Sequence, residues 1–151
     1  MSDFDKFIDL DINSTPLKVG VIGDAMIDEY FNVKIKKISP EFPIPVMHSN
    51  EESSLNLPGG AANVIYQFKN FNINPYLISF TDDESNKVFK DNNVNSSICC
   101  NISEFKCKIP RKKRFYNDDF PTYRWDVESN HNDYGLNERL DSCCSKQIGR
   151  A

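Results

Sequence analysis

The first part of the chain alternates between short apolar runs and polar turns. Leu17 to Ile22 is an apolar, β-rich run that ends at Gly23, a pattern typical of a buried parallel strand that leads into a loop. Ala61 to Phe71 carries apolar side chains at helical spacing, so we expect a helix to begin at or just after Gly59-Gly60. A strand, a helix and a short strand are predicted next, at Pro75 to Phe80, Asp82 to Lys90 and Ser96 to Cys100. This order predicts an α/β fold with right-handed crossovers.

Two other segments alternate apolar and polar residues, as half-exposed strands do. Tyr30 to His48 contains three prolines, which restrict strands to edges or turns, so we expect a small sheet outside the main one. The pattern also predicts a hairpin around a short acidic turn, with strands at Lys106 to Asn117 and Pro121 to Val127. This hairpin would form a second exposed ribbon. Beyond Glu128 the pattern fades into a polar tail with a weak helical stretch around Leu136 to Leu140.

Composition limits the class of protein. The 151 residues are 39% hydrophobic and the mean hydropathy is −0.54, which suits one globular domain. No apolar run approaches the length of a membrane span, and Met1 to Asp11 lacks the features of a secretory signal. The five cysteines show no zinc spacing and favour reduced thiols in a cytoplasmic protein. His48 and His131 are isolated, so no metal site is predicted.

The charge pattern requires any anion site to be local. The net charge of −4, from 18 basic and 22 acidic residues, gives no overall attraction to nucleic acid or anionic lipid. A basic run nevertheless crosses the predicted hairpin beside aromatic residues, at Lys106, Lys108, Arg111, Lys112, Lys113 and Arg114. On an exposed ribbon these side chains would contact a sugar phosphate or single-stranded nucleic acid. The alternative is that they protect an edge strand from aggregation.

Candidate chemistry lies in three short segments of the chain. They contain, in order, Asp24 and Asp28, then Ser39, Pro40 and Glu41, then Gly59, Gly60 and Asn63. Ligands of open α/β sheets bind beyond the carboxyl ends of strands, where carboxylates and an amide can bond several hydroxyls of a polyol. A glycine pair lets the backbone approach such a ligand, so the pattern favours a sugar site. Taken singly, the aspartates also fit a helix cap and a solvated acid, and the glycines a turn.

The order and spacing of these segments resemble a known family. Three motifs are similar to those of the ribokinase-like (PfkB) carbohydrate kinases: GDAMIDEY at 23–30, ISPEFPIPV at 38–46 and PGGAANV at 58–64. Within that family they most closely resemble the D-glycero-D-manno-heptose 7-phosphate kinase branch of ADP-heptose synthesis. RWDVE at 124–128 resembles a stretch on that branch's second lid hairpin. The resemblance implies a partial ribokinase-like fold at 17–128, with lid segments at about 30–48 and 106–127, an N-terminal extension at 1–16 and an uncertain tail at 129–151.

The resemblance also implies a role for each motif residue. Asp24 and Asp28 would bind sugar hydroxyls, while Gly59, Gly60 and Asn63 would form the floor of the site. Ser39, Pro40 and Glu41 would belong to a β-lid that closes over the substrate and often supplies a dimer contact. Arg111 or Arg114 would reach the distal phosphate of a sugar phosphate. ATP and Mg²⁺ are the implied cofactors, with no membrane partner.

One departure from the family bears on catalysis. The family's Gly-Ala-Gly-Asp run, whose Asp is the catalytic base and whose amides hold phosphate charge, has no counterpart in this sequence. No catalytic residue is therefore assigned, and we expect a truncated kinase whose catalytic half and ATP-binding residues are absent. The alternatives are a non-catalytic sugar-phosphate-binding or lid dimerisation module and, less favoured, a single-stranded nucleic-acid binder.

Overall fold

The computed structural model describes residues 17–49, 55–71, 73–96, 99–103 and 107–128. The predicted extension at 1–16, the tail at 129–151 and its weak helix lie outside these residues. In chain order the described elements are β1 (Leu17–Ile22), β2 (Ala25–Ile38), β3 (Pro45–Ser49), β4 (Leu55–Gly60), α1 (Ala61–Gln67), a 3-10 turn (Phe68–Asn70), β5 (Ile73–Ile78), β6 (Phe80–Thr81), α2 (Asp83–Asp91), β7 (Cys100–Asn101), β8 (Arg111–Asn117) and β9 (Phe120–Val127).

A small parallel sheet forms the centre of the α/β unit. β1 and β5 pair in parallel over six residues, from Leu17 opposite Ile73 to Ile22 opposite Ile78. Parallel neighbours need a crossover, and α1 lies on the connection between them. β6 and β7 form a second parallel pair, and the Cys100 amide donates to the Ser79 carbonyl at 2.9 Å. The predicted α/β class is confirmed.

The two helices begin in different ways. α1 starts directly after Gly60, as predicted, and no side chain caps it. α2 is capped by Asp82, which forms a capping box with Ser85: the Ser85 amide donates to Asp82 Oδ1 at 2.7 Å, and the Asp82 amide donates to Ser85 Oγ at 2.8 Å. The Ile109 amide also donates to Asp82 Oδ2 at 3.0 Å. Asp82 therefore fixes both the helix start and the segment that leads to β8.

A five-stranded sheet, named here the lid sheet, is built around β2 and contains β3, β4, β8 and β9. β4 pairs antiparallel with the first part of β2, and β3 pairs antiparallel with its last part. β8 pairs with β2 in parallel, from Ile27 opposite Arg111 to Val33 opposite Asn117, and β9 returns antiparallel to β8. The predicted hairpin is present as β8 and β9, and the pairing of β8 with β2 joins it to the first lid segment in one sheet.

The root of the lid sheet is part of the hydrophobic core. Ala25 and Ile27 of β2 are 2% and 0% exposed and pack in one cluster with Leu77 of β5, Phe89 of α2 and Ile102. Burial of these side chains removes apolar surface from water, which is the main stabilising contribution to such a core. The lid is consequently anchored on the α/β unit at its base.

Several predicted boundaries differ from the structure. β2 begins at Ala25 rather than Tyr30, because its buried residues extend the strand into the core. β8 begins at Arg111 rather than Lys106, directly after a proline that lacks an amide for the ladder. The short strand predicted at Ser96 to Cys100 is Cys100–Asn101. Neither described helix has the length and apolar character needed to cross a membrane.

Candidate functional site

β2 presents its side chains alternately to the core and to the outer face of the lid sheet. Ala25, Ile27 and Glu29 are buried, while Asp28 and Tyr30 are partly exposed. Successive side chains of a strand point to opposite faces, so the buried residues determine that Asp28 lies on the outer face. The apolar positions of β2 thus position the polar ones.

Asp28 is paired with Arg114 of β8. Arg114 donates to Asp28 Oδ1 twice, from Nε at 3.2 Å and from Nη2 at 2.9 Å. The two side chains are 15% and 28% exposed, so the pair is partly shielded from water. Burial opposes the charge on Arg114, but the hydrogen bonds and charge of Asp28 outweigh it and raise the pKa of Arg114. The structure therefore brings together two residues that the sequence placed 86 positions apart.

The glycine pair is packed against this carboxylate and against the loop after β1. A Cβ on Gly59 would lie 2.8 Å from Asp28 Oδ2 and 2.7 Å from Met26 Cγ. Gly60 has φ of +57°, and its Cβ would lie 2.3 Å from the Asp24 carbonyl oxygen. Both positions therefore require glycine, one because of the Asp28 side chain and one because of the backbone of Asp24.

Asp24 and Asn63 lie at the start of α1. The Ala61 amide donates to the Asp24 carbonyl at 2.9 Å, so the backbone of Asp24 accepts from the first residue of the helix. The Asp24 side chain is exposed. Asn63 lies on the first turn, is exposed, and its Oδ1 accepts from Gln67 Nε2 at 3.2 Å. These placements leave both polar side chains accessible next to Gly60.

Arg111 is placed differently from the expectation that it reaches a phosphate. It is 7% exposed, and its Nη1 lies 3.1 Å from Glu29 Oε1 and 2.7 Å from Glu84 Oε1, with Nη2 3.5 Å from Asp82 Oδ2. Burial lowers its pKa, but the bonds to Glu84 and Glu29 prevail and raise it. Arg111 thus joins the lid to the α/β unit, and a phosphate would have to displace these carboxylates to reach it.

The lid tip lies between β2 and β3. Ser39, Pro40 and Glu41 form a turn there, with the Ser39 amide donating to the Ile44 carbonyl at 2.8 Å and the Glu41 amide donating to Ser39 Oγ at 3.3 Å. The Ser39 hydroxyl thus stabilises the turn. No hydrogen bond or ion pair joins this turn to Asp28 or Arg114 among the described residues.

Curated relatives match most of the chain, although no protein-family model matches it. The bifunctional protein HldE of Blochmanniella pennsylvanica is 32% identical over 130 residues, which cover 85% of this chain and 27% of that protein. HldE of Actinobacillus succinogenes is 33% identical over 119 residues, which cover 76% of this chain and 24% of that protein. The chain therefore spans about a quarter of the length of these relatives.

Solved structures agree on the fold. Phosphofructokinase-2 from Escherichia coli, in complex with fructose-6-phosphate, superposes with a TM-score of 0.59 at 12% identity, covering 85% of this chain and 40% of that one. Arabidopsis thaliana ribokinase, complexed with ribose and ATP, gives 0.53 at 13% identity, covering 76% of this chain and 36% of that one. The chain is a ribokinase-like, HldE-related region. The predicted resemblance and the partial ribokinase-like fold are confirmed.

Sequence reasoning did not place two aromatic residues beside the candidate site of this HldE-related region. Tyr30 lies two residues beyond Asp28 on the same face, with its ring centroid 5.9 Å from Arg114 Cζ, and it stacks on Tyr116 at 5.9 Å between centroids. Burial and the nearby charge of Asp28 raise the pKa of Tyr30. The period-two pattern of β2 would have placed Tyr30 beside Asp28, whereas Tyr116 needed the β2–β8 register.

The described residues do not form a metal site. No group of three or more His, Cys, Asp or Glu side chains within the described ranges is arranged to hold an ion. Asp82, Asp83 and Glu84 lie close in sequence, but Asp82 caps α2 and Glu84 bonds Arg111. What the described residues bring together is a set of hydrogen-bond acceptors, an arginine and closely packed glycines, which suits a polar organic ligand with an anionic group.

Proposed function

We propose that this chain supplies the sugar-phosphate-binding part of a kinase that transfers a phosphoryl group from ATP to a hydroxyl of a heptose phosphate. The observation that carries the proposal is the Asp28–Arg114 pair, which lies against Gly59 on the outer face of the lid sheet. A carboxylate suits hydroxyl groups and a guanidinium suits phosphate. The similarity to bifunctional HldE proteins supports a heptose phosphate as the ligand.

Each site residue has a role that follows from its chemistry. The carboxylates of Asp24 and Asp28 accept hydrogen bonds from sugar hydroxyls, and Asn63 both accepts and donates. Gly59 and Gly60 allow the ligand to approach the backbone at the start of α1. Arg114 bonds the phosphate already present on the sugar. The lid tip around Ser39, Pro40 and Glu41 covers the bound sugar and excludes water, which would otherwise compete for the phosphoryl group.

ATP and Mg²⁺ belong to the proposed reaction but not to the residues described here. ATP would supply the phosphoryl group, and positioning and charge neutralisation by Mg²⁺ would assist its transfer. The described residues hold no carboxylate cluster for the metal, and the sequence holds no Gly-Ala-Gly-Asp run. No donor for either group is therefore assigned to the described residues. Because ATP is the phosphoryl donor, we place the protein in the cytoplasm.

The missing run also favours a second candidate, a sugar-phosphate-binding module without catalysis. Its binding site would be the same, because Asp28, Arg114 and the glycines are all present. The two candidates differ only in turnover. Nucleic-acid binding through the basic strand is disfavoured because Arg111 is buried and Lys113 lies 3.6 Å from Glu29.

Calorimetric titration with D-glycero-D-manno-heptose 7-phosphate, with and without ATP and Mg²⁺, tests the proposal. We expect saturable binding that Asp28→Asn weakens by about tenfold or more, since a hydrogen bond to a charged group is lost. Asp126→Asn is the matched control, because Asp126 is paired with Arg124 at 2.6 Å on β9. Turnover supports the kinase, and binding without turnover supports the module. Absence of binding, or salt-sensitive oligonucleotide binding alone, would contradict both.

We further propose that two copies of the chain associate through the lid sheet. The lid exposes large apolar side chains that a monomer leaves in water, and those more than half exposed include Ile38, Phe42, Ile44, Phe120, Tyr123 and Trp125. Contiguous exposed apolar surface is typical of an interaction site. Self-association would bury it.

A further inference from the structure

The two side chains assigned to the sugar and to its phosphate, Asp28 and Arg114, are bonded to each other in the structure. Both hydrogen bonds from Arg114 go to Asp28 Oδ1, so that oxygen is not available to a sugar hydroxyl. The other oxygen, Oδ2, faces Gly59. A ligand that binds both oxygens of Asp28 must therefore displace Arg114, and the Arg114 guanidinium then needs another anion to bond.

The surroundings of Arg114 favour such an exchange. Tyr30 of β2 flanks the guanidinium, and Tyr116 of β8 stacks on the Tyr30 ring. In the strand register Lys112 lies opposite Asp28, and Arg124 of β9 lies opposite Arg114. The guanidinium can thus move along an aromatic face within a positively charged neighbourhood, which attracts an anion.

Three of the nearby cations are already held by other partners. Arg111 is buried against Glu29 and Glu84, and Lys113 lies near Glu29 on the inner face. Arg124 bonds Asp126 through both Nε and Nη2. Arg114 differs from these three because its partner, Asp28, is itself proposed to bind the substrate.

We propose that Arg114 acts as a phosphate-dependent latch on Asp28, so that the site selects phosphorylated sugars over free sugars; this rests on the proposed function. A phosphate on the sugar takes the guanidinium by bidentate, charge-assisted hydrogen bonds and releases Asp28 to the hydroxyls. A free sugar has to break the ion pair without replacing it, which leaves a partly buried charge uncompensated. Selectivity then arises from the competition between two ligands for one arginine.

The latch predicts that phosphate and sugar bind cooperatively even when they are separate molecules. In the wild-type chain, inorganic phosphate is expected to strengthen the binding of unphosphorylated heptose by about fivefold or more. Phosphate bound to Arg114 releases Asp28 for the sugar, and a sugar bound to Asp28 releases Arg114 for phosphate. Calorimetric titration of heptose with and without inorganic phosphate measures this coupling. The measurement needs no variant, and a merely structural role of Arg114 would not produce it.

A variant gives an independent readout in the opposite direction. Arg114→Ala is expected to weaken heptose 7-phosphate binding by about tenfold or more, through loss of charged hydrogen bonds. The same change leaves Asp28 unoccupied, so free heptose is expected to bind as well as or better than it does to wild type, with no effect of inorganic phosphate. Lys34→Ala is the matched control and should behave as wild type, since Lys34 is exposed, lies further along β2 and pairs with Asp118, which is not assigned to the site.

The outcomes separate the latch from the function on which it rests. If wild type binds heptose 7-phosphate but inorganic phosphate does not affect heptose binding, the latch is overturned while the sugar site stands. Equal weakening of both sugars by Arg114→Ala would also overturn it. If wild type binds neither sugar, the proposed function fails and the latch fails with it.

Discussion

At the residue scale, the candidate site depends on two glycines that differ in what they accommodate. Gly59 leaves room for the Asp28 carboxylate, and Gly60 combines a positive φ with close approach to the Asp24 carbonyl. The backbone turn at Gly60 lets the Ala61 amide reach that carbonyl at 2.9 Å. This glycine therefore links the loop after β1 to the start of α1.

Gly60→Ala is expected to lower the free energy of unfolding by at least about 2 kcal/mol. A positive φ with ψ of −133° is a backbone conformation that costs an L-residue about 1–3 kcal/mol, and the clash with the Asp24 oxygen adds to it. Gly20→Ala is the matched control, because its Cβ would lie 3.6 Å from Ile78 Cδ1, an ordinary contact. Urea unfolding of both variants measures the difference. Equal stability of the two would show that the turn relaxes without cost.

At the element scale, Arg111 joins three elements of the structure. It lies at the start of β8, and its carboxylate partners Glu29 and Glu84 lie on β2 and α2, with Asp82 at the cap of α2. The lid sheet is thus fastened to the α/β unit by charge as well as by the apolar root. A buried arginine with several carboxylates is strongly destabilising to remove, because the charges left behind are buried without a partner.

Arg111→Met is expected to lower the free energy of unfolding by about 3–5 kcal/mol. Arg124→Met should cost less than about 1 kcal/mol, since its side chain is 55% exposed in a surface pair. Urea unfolding monitored by tryptophan fluorescence compares the two. Unchanged stability together with weaker binding of heptose 7-phosphate would show instead that Arg111 serves the phosphate.

At the scale of the whole molecule, the lid sheet has an inner face that is buried at its root and exposed further out. Beyond the core, Phe31 stacks on Phe115 with centroids 5.1 Å apart, and Tyr123 lies 6.0 Å from Phe115. Lys113 Nζ lies 5.3 Å from the Trp125 ring centroid. Tyr123 and Trp125 remain 58% and 54% exposed. Such an aromatic surface suits burial against a second copy.

Trp125→Ser combined with Tyr123→Ser is expected to shift the chain from dimer to monomer. Aromatic anchors in a buried patch contribute much of the affinity of an interface, so their removal should weaken association by about tenfold or more. Sedimentation velocity over a range of concentrations measures the change. Phe71→Ser is the control, because Phe71 is 63% exposed but lies after α1, away from the lid. A wild-type chain that stays monomeric throughout would contradict the proposed association.

The sequence by itself determined the α/β class, the first strand, the helix after the glycines and the polar residues of the candidate site, because these depend on local periodicity and short motifs. It determined neither the joining of the two lid segments nor the partners of the two arginines. Those depend on the register between β2 and β8, which places Arg114 beside Asp28 and Arg111 beside Glu29. Strand register between distant segments is a property of the packed sheet, since a shift of one residue would exchange the faces. Only the tertiary structure could therefore decide that Arg111 joins the lid to the α/β unit, while Arg114 bonds Asp28, which is proposed to bind the substrate.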